Sequence, residues 1–213
     1  MSARTRIKFC GMTSAADIAL AVDAGADAVG VIVAQSERRV PLDALPALGR
    51  AVPPFVAKVA VLVDPADEEL AVALRCGFTV QFSGAETPER CAEAGRDGPY
   101  VKVFHVKSDQ RFDADDVAAL EAYRGALWQF DTHVAGSAGG TGVPFTWRVV
   151  EPLARTRPVV VSGGLTPSNV ADCVRLVRPY AVDVRGGVET DGMKDPEKMR
   201  DFVRAVRAAD AQA

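Results

Sequence analysis

The stretch Pro158-Val159-Val160-Val161-Ser162-Gly163-Gly164-Leu165-Thr166-Pro167 shows the pattern that decides the fold. A short run of β-branched residues, typical of a buried strand, is followed by a glycine pair. Thr166 then precedes Pro167, an arrangement expected at a helix start, because the hydroxyl caps a free backbone N–H and proline lacks one. The stretch therefore predicts a strand, a tight loop and a helix in succession.

The same unit recurs along the whole chain. The predicted strands are Ile7–Cys10, Ala28–Val33, Val56–Val63, Thr79–Phe82, Tyr100–His105, Ala126–Asp131, Pro158–Ser162 and Ala181–Val184. The predicted helices are Ser14–Ala24, Leu42–Ala51, Ala66–Cys76, Pro88–Ala94, Ala114–Tyr123, Thr146–Ala154, Pro167–Val177 and Pro196–Ala208. Consecutive strand–helix units imply parallel strands with right-handed crossovers, and eight of them can close a barrel.

An open, doubly wound sheet is the competing architecture, but no glycine-rich dinucleotide fingerprint follows the first predicted strand. We therefore predict an α/β fold, a single (βα)8 TIM barrel whose one domain spans residues 1–213. The residues expected at helix starts and helix ends agree with this prediction. Glycines that suit a left-handed helix end follow two helices, and a capping residue precedes proline at three further helix starts. These are Gly25, Gly77, Asp64-Pro65, Thr87-Pro88 and Asp195-Pro196.

Composition excludes several classes of function. The 213 residues include 25 Lys and Arg against 28 Asp and Glu, a net charge of −3, so we expect no nucleic-acid partner. The apolar runs are far shorter than a membrane span requires, and the first residues show no apolar signal core, so we expect no membrane association. The four scattered cysteines make no CxxC pair, which argues against structural zinc and disulfides and favours a cytoplasmic location.

Residues at the carboxyl ends of the strands of such a barrel face one shared mouth. The candidates there are Lys8, Cys10, Arg38, Arg39, Ser83, Asp131, Thr132, His133, Gly163, Gly164, Asp183, Arg185, Gly186 and Gly187. The two glycine pairs follow the seventh and eighth strands, where many barrels bind phosphate through backbone N–H groups. Tight turns are the alternative interpretation, but this placement favours a phosphate site.

Two side chains of the mouth suggest acid–base chemistry. A cysteine such as Cys10 is more often a small buried hydrophobe, whereas Asp131 ends an apolar segment where a carboxylate must be paired or functional. Together they supply a base and an acid, so we expect neither metal nor organic cofactor. Arg38 and Arg39 have the guanidinium fork that holds a carboxylate or a phosphate, although one of them is expected to be a solvated loop cation.

The glycine- and alanine-rich stretch His133–Pro144 is the long irregular segment of the chain. A loop of this length after a strand is often a functional lid, and a plain connector is the alternative.

Many of these residues occur in motifs of one known family. Ile7-Lys8-Phe9-Cys10-Gly11-Met12-Thr13 resembles the opening K-I-C-G-[LI]-T of the phosphoribosylanthranilate isomerases, the barrel isomerases of tryptophan biosynthesis. Further similar segments follow in order: Ala24–Gly30, Ser36-Glu37-Arg38, Val80-Gln81 with Gly84, Phe130-Asp131-Thr132, Gly139–Gly142, Ser162–Val170, Arg178–Val184 and Gly187-Val188-Glu189. A single motif would be weak evidence, but the ordered set at barrel spacing is strong.

The resemblance implies an Amadori rearrangement of a small phosphorylated substrate, N-(5′-phosphoribosyl)anthranilate, without a cofactor. It implies that Asp131 is the general acid that opens the sugar ring and that Cys10 is the general base that removes the C2′ proton. It implies that Arg38 binds the substrate carboxylate and that the two glycine pairs bind the phosphate. A monomer and a homodimer are both compatible with it.

Three departures from the family pattern lie at the mouth. Ser83 stands where the family has histidine, and Arg185 and Gly186 replace two serines. Arg185 is a further phosphate-binding candidate, because its guanidinium can replace the lost hydroxyls with a charge-assisted bond. Two other functions stay open. One is a related phosphosugar isomerase of the ProFAR type, which usually has a carboxylate base on strand one and two opposed phosphate sites. The other is a non-catalytic barrel that binds a phosphorylated ligand.

Overall fold

Eight parallel strands close into a barrel in chain order in the computed structural model, which describes residues 4–95, 98–106, 111–131 and 144–212. The barrel strands are β1 (Arg6–Cys10), β2 (Ala28–Ile32), β3 (Ala57–Leu62), β4 (Thr79–Phe82), β5 (Tyr100–His105), β6 (Ala126–Asp131), β7 (Val159–Ser162) and β8 (Ala181–Val184). The barrel closes where β1 pairs with both β2 and β8, which places Lys8 beside Asp183. The predicted fold is confirmed.

A helix follows each strand. The helices are α1 (Ala15–Ala24), α2 (Leu45–Ala51, after a 3-10 turn at Leu42–Ala44), α3 (Asp67–Arg75), α4 (Pro88–Ala94), α5 (Ala114–Glu121), α6 (Pro144–Ala154), α7 (Val170–Val177) and α8 (Pro196–Asp210). Among the described residues, no helix combines the length and the apolar character needed to cross a bilayer. Residues 132–143 lie outside the described residues; they include Thr132, His133, the Gly139–Gly142 motif and all of the predicted lid except Pro144, which begins α6.

The predicted helix caps are partly confirmed. The Thr87 hydroxyl accepts from Arg90 N at 3.3 Å, and Asp195 Oδ1 accepts from Glu197 N at 2.9 Å, as the threonine–proline and aspartate–proline pairs predict. Gly25 and Gly77 adopt the expected left-handed conformation, with φ of 101° and 72°.

The two other predicted capping pairs, Asp64-Pro65 and Thr166-Pro167, lie two to three residues before the observed helix starts. Helix α3 begins at Asp67, because Asp64 bends out of the helix with φ of 43° and accepts from Ala85 N at 2.9 Å in the next loop. Helix α7 begins at Val170 and not at Pro167. The Asn169 side chain accepts from Thr166 N at 2.8 Å and holds the preceding residues in a turn.

A small hairpin between β8 and α8 is absent from the sequence prediction. It consists of β9 (Glu189–Thr190) and β10 (Met193–Lys194). Asp191 and Gly192 form its turn with φ of 50° and 72°, the pair of left-handed residues that a two-residue hairpin requires. The Asp-Gly dipeptide was the available sequence signal.

Alternation along the strands separates two environments. Ile7 and Phe9 of β1 point outward and are completely buried in the apolar shell between barrel and helices, whereas Lys8 and Cys10 point into the barrel. Side chains of the other strands also alternate between the apolar shell and the barrel interior. The interior therefore contains buried polar side chains near the carboxyl ends of the strands. These polar groups form the floor of the site.

Candidate active site

A cavity of about 610 Å³ opens at the carboxyl ends of the strands, a volume that suits a small ligand. The residues predicted for the mouth that line it are Cys10, Ser83, Asp131, Gly163, Gly164, Asp183, Arg185, Gly186 and Gly187. A second cavity of about 790 Å³ adjoins it above β2 and β3 and is lined by Arg38. Arg185, Gly186 and Glu189 line both cavities, so the two are neighbours at the mouth.

Lys8 does not line either cavity but lies beneath the first one. Its ammonium donates to Asp183 Oδ2 at 2.7 Å, and both side chains are more than 90 % buried. Gln129 donates to the same oxygen at 2.9 Å and to Ser162 Oγ at 3.0 Å. This network compensates the buried charges, because each ionic group has a partner of opposite charge or a hydrogen bond.

Two oxygen atoms of this layer lack a hydrogen-bond partner among the described residues: Asp183 Oδ1 and Gln81 Oε1. Both residues line the cavity. Buried acceptors are normally satisfied, and an unsatisfied one in a cavity is a place for a ligand hydroxyl or a water molecule.

Cys10 ends β1 and is 7 % exposed at the cavity wall. Its sulfur packs with the apolar side chains of Ile32 and Val61. Burial raises the pKa of the Cys10 thiol, and Asp183 raises it further, while Lys8 and Lys194 act in the opposite direction. Burial is the largest of these effects, so the pKa of the Cys10 thiol lies above its ordinary value despite the two ammonium groups.

Asp131 ends β6 and lies across the cavity from Cys10, since β7 and β8 separate the two strands on the shorter way round the barrel. Asp131 is half-buried at the cavity, and its backbone carbonyl accepts from Val106 N at 3.0 Å. His105 stands beside it in the β5–β6 register. The predicted acid and base thus meet in one cavity.

The two arginines after β2 differ in their surroundings. Arg38 is 11 % exposed in its side chain, pairs with Glu189 at 3.1 Å and donates to the Gly192 carbonyl, so it is held against the β9–β10 hairpin. Arg39 is exposed and donates to Val33 O at 3.0 Å within its own loop. Only Arg38 of the two lines a mouth cavity.

The glycine pairs form the rim above β7 and β8. Gly163 and Gly164 have φ of 89° and 63°. A Cβ on Gly187 would lie 1.9 Å from Leu165 O, so the loops after β7 and β8 approach each other more closely than any side chain allows. Gly186 begins a short 3-10 turn at the cavity, the arrangement in which many barrels hold phosphate.

The opposite rim, above β3 and β4, is filled by the protein's own carboxylates. Both oxygens of Glu86 accept from Gly84 N, at 3.1 and 3.0 Å, and Oε1 also accepts from Asp64 N at 2.8 Å. Burial alone would raise the pKa of Glu86, but hydrogen bonds from Lys102 and the backbone hold it below its ordinary value. The backbone donors of this rim are therefore already used.

Arg185 is exposed at the mouth. The aliphatic part of the Arg185 side chain packs over Gly11, and its Cγ lies 3.3 Å from the position that a Cβ on Gly11 would have. Cγ of Arg38 lies 3.5 Å from the same position. Arg185 thus lies between the glycine rim and the Arg38 cavity.

Several cavity residues were missed by the sequence prediction. His105, Lys198 and Gln129 line the cavity, and Lys194 contacts Glu189 at 2.7 Å beneath it. Burial lowers the pKa of Lys194, although Glu189 opposes this effect. The position of His105 at a predicted strand end was an unused signal, whereas nothing local in the sequence marks Lys194. In the part of the chain that the structure describes, no group of three or more His, Cys, Asp or Glu side chains is placed to hold a metal.

The chain matches one protein family over most of its length. The family model for N-(5′-phosphoribosyl)anthranilate (PRA) isomerase matches residues 7–205. The chain is 41% identical to the N-(5′-phosphoribosyl)anthranilate isomerase of Desulforudis audaxviator, over 96% of this chain and 99% of the relative. It is 45% identical to that of Methylibium petroleiphilum, over 98% and 97%.

Solved structures give the same picture. The phosphoribosyl anthranilate isomerase of Thermotoga maritima has 31% identity and a TM-score of 0.81, with 96% of this chain and 99% of that chain covered. A phosphoribosyl anthranilate isomerase in complex with reduced 1-(o-carboxyphenylamino)-1-deoxyribulose 5-phosphate has 31% identity and a TM-score of 0.80, with the same coverage. The chain therefore belongs to the N-(5′-phosphoribosyl)anthranilate isomerase family.

Proposed function

We propose that the chain converts N-(5′-phosphoribosyl)anthranilate to 1-(2-carboxyphenylamino)-1-deoxyribulose 5-phosphate. The observation that carries the proposal is the pair of Cys10 and Asp131, a thiol and a carboxyl that line one cavity from strands across the barrel. Such a pair can move protons on two sides of a sugar held between them. Family membership supplies the substrate class, and a related isomerase was solved with a reduced form of this product.

In the proposed reaction, Asp131 protonates the furanose ring oxygen while the C1′–O bond breaks and the anilino nitrogen supplies the electron pair for the C1′ iminium. Cys10 as thiolate then removes the C2′ proton, and the C–H electrons form the C1′–C2′ double bond as the iminium is neutralised. The resulting enolamine becomes the ketone by proton transfer. The sum is an isomerisation, so atoms and electrons balance without a cofactor.

Binding roles follow from the two cavities. We assign the substrate phosphate to the rim of Gly163, Gly164, Gly186 and Gly187, where backbone and a short helical turn face the cavity. We assign the anthranilate carboxylate to Arg38 in the adjoining cavity. Arg185, which lies between the two, is assigned a contact with the phosphate.

The polar floor completes the proposed binding site. Asp183 Oδ1 is a buried acceptor without a partner among the described residues, and Asp183 lines the cavity, so it can accept from a sugar hydroxyl. Ser83 lines the opposite wall.

A ProFAR-type isomerase is supported less well. Such an enzyme needs a second phosphate site opposite the first, but at the opposite rim Glu86 already accepts from Gly84 N and Asp64 N. A second phosphate there would meet the exposed Asp64 carboxylate, because the backbone donors beside it already bond to the buried Glu86. The first strand also ends in a thiol and not in a carboxylate. A non-catalytic barrel is disfavoured because it would have no use for the placement of Cys10 and Asp131.

The decisive experiment is an activity assay with freshly prepared N-(5′-phosphoribosyl)anthranilate, in which the loss of anthranilate-type fluorescence is followed. We expect turnover that persists after treatment with a chelator. Binding of the substrate without turnover would favour the non-catalytic barrel. Turnover of a ProFAR-type substrate alone would favour the second isomerase.

The oligomeric state of the protein is a further part of the proposal. One relative from Thermotoga maritima is described as a dimeric isomerase, with 29% identity and a TM-score of 0.79. Phe55 is fully exposed before β3, at the barrel end opposite the cavity, where a partner could cover it. We therefore favour a homodimer over a monomer, a choice that light scattering would test.

We also infer one domain over residues 1–213 and, from four free thiols, a cytoplasmic location.

A further inference from the structure

Lys8 is a buried lysine to which neither the family motif nor the cavity lining assigns a task. Lys8 and Cys10 are two residues apart on β1, so both side chains project into the barrel on the same face. The neighbouring strand β2 has Gly30 opposite Cys10. The absence of a side chain at Gly30 leaves room that both groups occupy.

The contacts above Gly30 show how close the two groups are. A Cβ at this glycine would lie 2.9 Å from Cys10 Sγ and 3.2 Å from Lys8 Nζ. The ammonium and the sulfur therefore converge on one small space. The position of the ammonium is fixed from the other side by Asp183 Oδ2 at 2.7 Å, and Gln129 in turn holds that oxygen.

We propose that Lys8 is a positioning residue whose ammonium keeps Cys10 available as the thiolate base. An ammonium stabilises the negative charge that appears on sulfur when the thiol loses its proton, and this effect is large where water is excluded. Asp183 has the opposite effect on the thiolate, but it orients the ammonium and maintains its charge. The inference deepens the proposed function, because it explains how a buried cysteine can serve as a base.

The other charges around Cys10 are consistent with this role. Val61 and Ile32, on β3 and β2, contribute apolar surface, so the charged groups that act on the sulfur are Lys8, Asp183 and, from β10, Lys194. Burial raises the pKa of the thiol, and among the groups that lower it Lys8 has the largest effect. Burial also opposes the charge of Lys8, but Asp183 and Cys10 outweigh it, so the pKa of Lys8 is raised and the ammonium persists.

The test is the pH dependence of Cys10 alkylation by iodoacetamide, measured at the Cys10 peptide by mass spectrometry. The thiolate is the nucleophile, so the midpoint of the rate profile reports the pKa of Cys10. Lys8→Met should move this midpoint upward by about one to three pH units. The ascending limb of kcat/KM should move with it, while Lys8→Arg should keep both near their wild-type positions.

Lys102 offers a matched control. It also forms a buried ion pair, with Glu86 at 2.8 Å, but on the outer side of the barrel. Lys102→Met breaks an equivalent pair and should lower the thermal midpoint without moving the Cys10 profile. An unchanged Cys10 midpoint in folded Lys8→Met, or an equal shift in Lys102→Met, would overturn the proposal.

A double variant covers the case in which Lys8→Met does not fold. Lys8→Met/Asp183→Asn removes both charges of the buried pair, so no uncompensated carboxylate remains. Its Cys10 midpoint should lie above the wild-type value by less than in Lys8→Met, and an unchanged or lower midpoint would contradict the inference. Alkylation needs no substrate, so this result stands even if the isomerase assay is negative.

Discussion

The two rims of the cavity both present backbone N–H groups at strand ends, but one rim binds a carboxylate of the protein itself and the other faces the cavity. Above β3 and β4, the N–H groups of Asp64 and Gly84 point to Glu86, whose charge is compensated by Lys102. Above β7 and β8, the loops with the two glycine pairs face the cavity. Strand ends of a parallel barrel provide anion-binding groups all round the mouth, but only some of them remain for a ligand.

This difference teaches that the number of phosphate sites depends on which donors the protein satisfies internally. At the β3–β4 rim, a carboxylate from the loop itself already accepts from the backbone donors, and Lys102 compensates its charge. The β7–β8 rim instead relies on close approach of two loops, since Gly187 lies against Leu165 O. If binding and catalysis divide along these lines, substitutions at the two rims and between them should have different effects.

The largest effect is expected between the rims, at Asp131. Asp131→Asn keeps the shape of the side chain but removes the acidic proton, so kcat should fall by at least ~10²-fold, the usual scale of general acid catalysis. The circular dichroism spectrum and the thermal midpoint should stay close to those of the wild type. Near-normal turnover in this variant would exclude Asp131 from the mechanism.

Alanine at Gly187 should damage the phosphate rim. The new Cβ would meet Leu165 O, which forces the β7 and β8 loops apart, and a misplacement of about 1 Å can cost up to ~10²-fold in kcat/KM. Gly186→Ala is the matched control, because nothing lies within 4 Å of its Cβ position.

Gly84→Ala provides the comparison at the other rim. Its Cβ would lie 2.8 Å from the Asp64 carboxylate, so we expect a loss of stability of about 1 kcal/mol with an unchanged KM. A rise of KM in Gly84→Ala as large as in Gly187→Ala would show that the two rims do not differ in function.

Arg38 and Arg39 should separate binding from loop structure. Arg38→Ala removes a charge-assisted contact with the substrate carboxylate, so KM should rise by about tenfold or more, while Glu189 keeps Lys194 as its partner. Arg39→Ala should change KM little, because Arg39 bonds only within its own loop among the described residues. The reverse order in steady-state kinetics would contradict the assignment.

The smallest effect is expected at Arg185, where the chain departs from the family pattern. Arg185→Ser should raise KM by about threefold, a change within the range that an exposed charged contact contributes, and KM should become less sensitive to salt. If KM and its salt dependence stay unchanged, Arg185 has no contact with the phosphate.

Local patterns in the sequence determined most of the fold. Strand alternation, proline after a capping residue and glycine after a helix all act within a few residues, so the eight strands were predicted to within two residues of their observed bounds. The same locality explains the errors. The start of α3 depends on a bond that Ala85 N donates to Asp64, and the start of α7 depends on a bond that Thr166 N donates to the Asn169 side chain.

The positions of Cys10, Asp131 and the glycine pairs were likewise accessible from sequence, because every parallel barrel collects its strand ends at one mouth. Only the tertiary structure decided which charged groups surround these residues. Lys8 meets Asp183 across 175 residues, and Glu86 occupies a rim that the sequence left open. The closure and register of the barrel place these charges together, and no periodicity within a single strand encodes which distant side chain will share its space.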